Sequence, residues 1–248
     1  MDEQPLRGGF VTSVVRSGAT VRRSPAGERG YVRDLLGWLG ERGWGGAPRY
    51  LGTDEQGREM LSFIDGHVTL GLPQPPWVAS QEGLARLAVL IREFHDLTAG
   101  TPLARGAEVA CHNDLSVANT VYRNYDGGLL PVAFIDWDLA APGRRVHDIA
   151  HACWQYLGLG PDLDDVAEAG RQMRLICDAY GLSDRGSLLE TILWWQDRCW
   201  RGIEAQAAAG DPAMTRLRDS GVPQSVREAF DWVSGHRAAL ARYLLLAL

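Results

Sequence analysis

The stretch Cys111–Asp138, CHNDLSVANTVYRNYDGGLLPVAFIDWD, decides the reading of the fold. It sets three polar residues, Asp114, Asn119 and Asp136, around a hairpin pattern. Thr120-Val121-Tyr122-Arg123 predicts a short strand, Asn124-Tyr125-Asp126-Gly127-Gly128 a turn, and Leu129 to Ile135 a second strand. In an antiparallel hairpin the start of the first strand lies beside the end of the second. Asn119 stands at that start, Asp136 at that end, and Asp114 on the loop just before. The pattern therefore predicts two carboxylates and an amide gathered at one rim.

Such a trio suits phosphoryl transfer. A carboxylate orients a hydroxyl acceptor and takes its proton, while a hard Mg²⁺ needs oxygen ligands beside the phosphates. Each piece is weak alone, because Asp and Asn are ordinary turn residues. Their order, with a hairpin between them, makes the pattern specific. His112-x-Asp114-x-x-x-x-Asn119 has the spacing of the kinase catalytic loop, and Ile135-Asp136-Trp137 stands where kinases place a metal-binding Asp-Phe-Gly.

The stretch resembles the aminoglycoside phosphotransferase and choline kinase-like family, whose loop reads His-Gly-Asp-Leu-x-x-x-Asn, followed by Ile-Asp-Trp or Ile-Asp-Phe. Asn113 takes the place of the glycine. Pro142-Gly143 and Asp148-Ile149-Ala150 resemble the family's Gly…Asp-Leu-Ala segment. The likeness covers most of the chain and is sharp from Cys111 to Ala150. It implies an α+β, two-lobed protein-kinase-like fold: a nucleotide-binding lobe with a small antiparallel sheet over residues 1–66, and a mainly helical catalytic and substrate-binding lobe over 67–248. It further implies transfer of the γ-phosphate of ATP (or GTP) to a hydroxyl of a small molecule. Asp114 would be the catalytic residue, and Asn119 and Asp136 the Mg²⁺ ligands. The acceptor could be an aminoglycoside, another antibiotic, or a metabolite such as an amino alcohol.

The 248 residues suffice for one large domain or two lobes with real cores. A formal net charge of −6 gives no basic field to attract nucleic acid. All 25 basic residues counted as Lys+Arg are arginines, so any lysine role in such a fold must pass to Arg or be lost. Cys111, Cys153, Cys177 and Cys199 are widely spaced, as buried small apolar residues of a reducing compartment are. The N-terminus lacks signal-peptide character, and no apolar run is long enough to span a bilayer. These features predict a cytoplasmic protein, monomer or dimer, with no nucleic-acid or membrane partner.

Ahead of the central stretch, Leu6 to Val21 predicts two strands with a turn at Ser17-Gly18. Gly8 and Gly9 precede the alternating run and are candidates for close approach to nucleotide phosphates, although a Gly-Gly pair usually marks only a turn. Kinases carry a phosphate-binding Lys on the third strand. Here Arg22 is the first candidate and Arg23 the second, and strand alternation allows only one of them into the cleft. Glu28 to Arg42 predicts a helix with Tyr31, Leu35, Leu36 and Leu39 as its apolar stripe. The family's helix glutamate is missing: Val32 holds its place, and Asp34 and Glu28 fit poorly as substitutes. Arg49 to Gly52 and Glu59 to Ile64 predict two more strands. By resemblance the second runs into the adenine-binding hinge, with main-chain atoms from Ser62 to Ile64 as candidate contacts.

Behind the proline-rich Leu70–Trp77 segment, Ser80 predicts a cap for a helix with Leu84, Leu87, Ile91 and Phe94 on its buried face. His112 and His95 are assigned to support rather than chemistry. A zinc site at His147, His151 and Cys153 is disfavoured because Asp148 already matches a structural aspartate. Helices are predicted near Asp164–Tyr180, Gly186–Ala209 and Ser225–Ala247, with substrate-pocket walls implied among them. Two competing readings remain: a catalytically degenerate kinase fold that sequesters a ligand or toxin, favoured by the missing glutamate, and a metal-dependent hydrolase.

Overall fold

The computed structural model describes residues 3–6, 14–24, 30–69, 74–125 and 128–245. Gly8, Gly9 and Glu28 lie outside the described residues. The N-terminal part is an antiparallel sheet of β1 (Gln4–Pro5), β2 (Val14–Ser17), β3 (Thr20–Arg23), β4 (Tyr50–Thr53) and β5 (Glu59–Ser62), in the order β1-β2-β3-β5-β4. The two-residue turn between β2 and β3 needs a positive φ, which Gly18 adopts at 61°. Asp54 builds the turn between β4 and β5, its Oδ1 accepting from the amides of Gln56 (3.0 Å) and Arg58 (2.9 Å).

Helix α1 (Gly30–Glu41) separates β3 from β4, so β5 lies against β3 rather than at the edge. Val32, Leu35, Leu36 and Leu39 are its buried face, as helical periodicity requires. Val32 faces the core, so an acid at that position would be a buried charge.

Helix α2 (Gln81–Thr98) begins where Ser80 accepts from the Gly83 amide at 3.1 Å. Strand β6 (Val109–Cys111) pairs with β9 (Ala141–Gly143), and between them β7 (Thr120–Tyr125) and β8 (Gly128–Phe134) form the predicted hairpin. Helices α3 (Arg145–Leu157), α4 (Val166–Tyr180), α5 (Leu188–Ala208), α6 (Pro212–Asp219) and α7 (Val222–Leu244) complete the chain. The short α6 is an addition to the predicted set. Its start carries a familiar signal: Asp211 caps the amides of Ala213 and Met214, and Pro212 fills the first turn.

One apolar cluster runs from α1 through α2 to α4, α5 and α7. Trp38 of α1 donates its indole N–H to the Leu97 carbonyl at 2.8 Å, and Tyr31 its hydroxyl to Leu103 at 3.0 Å. The sheet region is thus seated on the helical region by shared core as well as by the chain linking them. No helix among the described residues is long and apolar enough to cross a membrane.

Candidate active site

The hairpin brings the central trio together. Thr120 pairs with Phe134, and beyond them the Ile135 amide donates to the Asn119 carbonyl at 2.9 Å. Asn119 therefore lies opposite Ile135, one residue from Asp136. Its Nδ2 donates to the Asp114 carboxylate at 2.8 Å and to the Asp114 carbonyl at 3.0 Å. The amide nitrogen is committed to Asp114, which leaves the amide oxygen as the atom a cation would take.

Two residues in left-handed conformation shape this rim, Asn113 at φ 63° and Asp136 at φ 61°. Glycine takes such a conformation without strain, and Asn and Asp are the side chains that tolerate it best. That explains why Asn113 can replace the glycine: its own Nδ2 also donates to the Leu139 carbonyl at 3.0 Å. Trp137 holds the second turn from beneath. It is buried, its indole N–H donates to Phe134 at 2.9 Å, and it meets the Phe94 ring edge-on at 4.9 Å.

Asp148 anchors the loop that carries Asp114. Fully buried on α3, it accepts from the His112 amide at 2.7 Å, the Asn113 amide at 2.8 Å and His95 Nε2 at 3.0 Å. His95 and these hydrogen bonds hold its carboxyl below the ordinary range against the opposing effect of burial. His112 Nε2 lies 3.1 Å from the Ile135 carbonyl, and burial drives its pKa down to about 4, so the ring is neutral near pH 7. It bridges the loop and the strand end rather than offering a base. His147 stacks on Trp194, and His151 bonds the Leu115 carbonyl at 2.9 Å. Among the described residues the cluster with metal-ligand chemistry is instead His95, Cys111 and Asp148, whose carboxylate already accepts the bonds just described.

Of the two candidate arginines, Arg23 is the one that faces the hairpin acids. Arg22 reaches Glu3 at 3.5 Å and Asp54 at 3.8 Å. Arg23, on the opposite face of the strand, is 6% exposed and lies 2.7 Å from Asp138 and 3.9 Å from Asp136. Its acidic partner comes from a strand, not a helix. Glu59, 1% exposed, bonds Arg23 Nε at 3.1 Å and Arg33 Nε of α1 at 2.9 Å. Arg23 and Glu59 are direct cross-strand neighbours in the β3–β5 ladder. The sequence reading missed Glu59 because the signal is a register between strands, visible only once those strands are paired.

Of the hinge candidates, Ser62 donates its amide to the Arg49 carbonyl and accepts the Arg49 amide on its hydroxyl, at 2.9 and 2.8 Å. Phe63 donates to Ala19 at 2.8 Å. Sheet bonding thus occupies both amides, and Ile64 follows beyond the strand end.

Burial, reinforced by the charges of Asp136 and Asp138, pushes the Asp114 carboxyl up to about 7, against the pull of the Asn119 amide. A general base is most effective with a pKa near the working pH. The crowding also tests the fit of a divalent cation. Hard oxygen donors set close enough to repel one another suit Mg²⁺, which relieves that repulsion.

Together the antiparallel sheet, the helical region and the hairpin-borne acids define a kinase-like fold of the phosphotransferase class. Comparison with known proteins agrees. A model of the phosphotransferase enzyme family matches residues 68–190. The trifolitoxin immunity protein of Rhizobium leguminosarum bv. trifolii is 35% identical over 217 residues, covering 77% of this chain and 80% of that protein. Similar solved structures include the Plasmodium vivax ethanolamine kinase, with TM-score 0.61, 13% identity and coverage of 97% and 81%. Another is the GDP complex of aminoglycoside 2'-phosphotransferase-IIIa, with TM-score 0.59, 13% identity and coverage of 96% and 93%. A third is an aminoglycoside phosphotransferase of Streptomyces rimosus with ADP and streptomycin, with TM-score 0.56, 15% identity and coverage of 78% and 91%. The chain belongs to the phosphotransferase enzyme family that contains the aminoglycoside phosphotransferases.

Proposed function

We propose that the protein transfers the γ-phosphate of ATP or GTP to a hydroxyl of a small antibiotic or toxin, and so confers resistance or immunity. The observation that carries this reading is the Asp114–Asn119 hydrogen bond at the base of the hairpin, beside Asp136. Asp114 accepts a hydrogen bond from the acceptor hydroxyl and takes its proton as the oxygen attacks phosphorus. The bond to the leaving nucleoside diphosphate breaks as the new oxygen–phosphorus bond forms. Arg23, steadied by Glu59, binds the phosphates in place of the usual lysine. Gly8 and Gly9 would cover them, and Ile64 rather than Ser62 would meet the base through its main chain.

Asn119 and Asp136 would hold Mg²⁺, which when bound neutralises charge on the phosphate oxygens. The other residues act by position and protonation: Asp148 holds the loop, Trp137 the turn, and Glu59 the arginine. The mainly helical segment 67–248 would supply the walls of the acceptor site.

The similarity to an immunity protein supports a second reading, capture of a toxin without its modification. One experiment separates the two. Purified protein is incubated with Mg²⁺, ATP or GTP and a panel of hydroxyl compounds beginning with aminoglycosides and peptide antibiotics. The phosphotransferase reading expects nucleoside diphosphate release with a product heavier by one phosphoryl group. Tight binding of a compound recovered unchanged would support capture instead.

A further inference from the structure

A cavity of about 340 Å³ lies where the end of α2, the start of α3, the end of α4 and the start of α5 meet. None of the residues gathered around Asp114 lines it. Three arginines do: Arg92 from α2, and Arg144 and Arg145 at the head of α3. Arg92 and Arg145 share Asp96, at 2.6 and 2.9 Å, and so are held side by side. Arg144 is looser: it is exposed, 3.9 Å from Glu108, and its Nη2 donates to the Ser187 hydroxyl at 3.3 Å.

The two acids of the wall also bond the backbone, and Glu108 faces Arg144 with its other oxygen. Glu108 accepts from the Arg145 amide at 2.9 Å, and Asp184 from the Gly186 amide at 3.0 Å. Helices α3 and α5 both begin at this cavity, the first amide of α3 bonded to Glu108 and that of α5 to the Arg185 carbonyl. Guanidinium forks and a hydroxyl suit a phosphate group. The volume allows a small molecule attached to it.

The cavity is also wired to the catalytic loop. Arg145 Nη1 donates to the Tyr180 hydroxyl at 3.0 Å. That directs the hydroxyl proton to His95 Nδ1, 2.7 Å away, and leaves His95 Nε2 to donate to Asp148 at 3.0 Å. Asp148 in turn receives the amides of His112 and Asn113, the two residues before Asp114. Tyr180, His95 and Asp148 are all buried, so water does not interrupt the series. An anion that draws Arg145 toward itself takes a donor from Tyr180 and changes the bonds that follow.

We propose that this cavity is a second binding site, for a small molecule bearing a phosphate group, and that its occupancy is conveyed through Tyr180, His95 and Asp148 to the loop that carries Asp114. Inorganic phosphate is the probe, titrated at constant ionic strength against chloride. Two quantities are followed: the unfolding midpoint, and the exchange of backbone amides at His112 and Asn113. The wild type is expected to be stabilised by phosphate, with altered exchange at both amides. Arg144→Gln should bind about tenfold more weakly, the loss expected for one charge-assisted hydrogen bond, and Ser187→Ala should also weaken it. Arg23→Gln, which removes the cation beside Asp136, should leave the response intact. Tyr180→Phe should still bind phosphate but without the change at the two amides. Absence of stabilisation in the wild type, an undiminished response in Arg144→Gln, or its loss in Arg23→Gln would overturn the site. An amide response that persists in Tyr180→Phe would overturn the coupling.

Discussion

The two sides of the proposed cleft are built in opposite ways. On the hairpin side, Asp114, Asn119 and Asp136 belong to one short stretch, and a single β-ribbon sets their spacing. On the sheet side, the cation depends on strands far apart in sequence: Arg23 of β3 meets Glu59 of β5, and Arg33 of α1 completes the group. The contrast shows which departures from a family pattern are tolerable. A local constellation keeps its residues, and only Asn113 is exchanged, into a backbone conformation that asparagine accepts. A constellation assembled from distant strands depends on register: Arg23 and Glu59 meet because β3 and β5 pair side by side.

The largest expected effect probes the hairpin side. Asp114→Asn removes the base while keeping the hydrogen-bonding shape, and should lower kcat about 10³-fold. Unchanged turnover in the variant would remove Asp114 from the chemistry and leave the two sides without the difference drawn between them. Next comes the anchor of the loop. Asp148→Asn should lower unfolding stability by about 3 kcal/mol, because it breaks a buried charged network while leaving His95 in place. The pH dependence has a definite sign. The carboxyl is depressed in the folded state, so its contribution is present above the ordinary value of 3.8 and is lost as pH falls through the lower folded value. Acid titration of stability should therefore be steeper in the wild type than in Asp148→Asn.

The sheet side is sharpened by comparing neighbouring arginines. Arg23→Gln should lower kcat/KM about thirtyfold, equivalent to about 2 kcal/mol for a charge-assisted contact. Arg23→Lys should recover only part of this, because an ammonium cannot reproduce the guanidinium fork between Glu59 and Asp138. Arg22→Gln should leave kcat/KM unchanged and alter stability by less than about 1 kcal/mol, as expected for a part-exposed pair. Equal kinetic effects at the two positions would cancel the assignment of Arg23 to the cleft.

Much of the fold was legible because its signals are local. Ser80 announced α2, and alternation at Thr120–Arg123 and Leu129–Ile135 announced the hairpin. Leu35, Leu36 and Leu39 announced α1, because burial of one helical face imposes a spacing that any reader of the chain can find. The trio at the rim followed from the same ribbon geometry. What the chain order alone determined, then, is the class of fold and the meeting of Asp114, Asn119 and Asp136 at one rim of the hairpin. The tertiary structure decided which of two adjacent arginines faces the hairpin acids, that Glu59 pairs with it, and that hydrogen bonds run from an arginine-lined cavity to Asp148. The physical reason is that charge pairs and hydrogen-bond series depend on distance in space. The register of β3 on β5, and the meeting of four helix ends, are set by packing between segments remote along the chain.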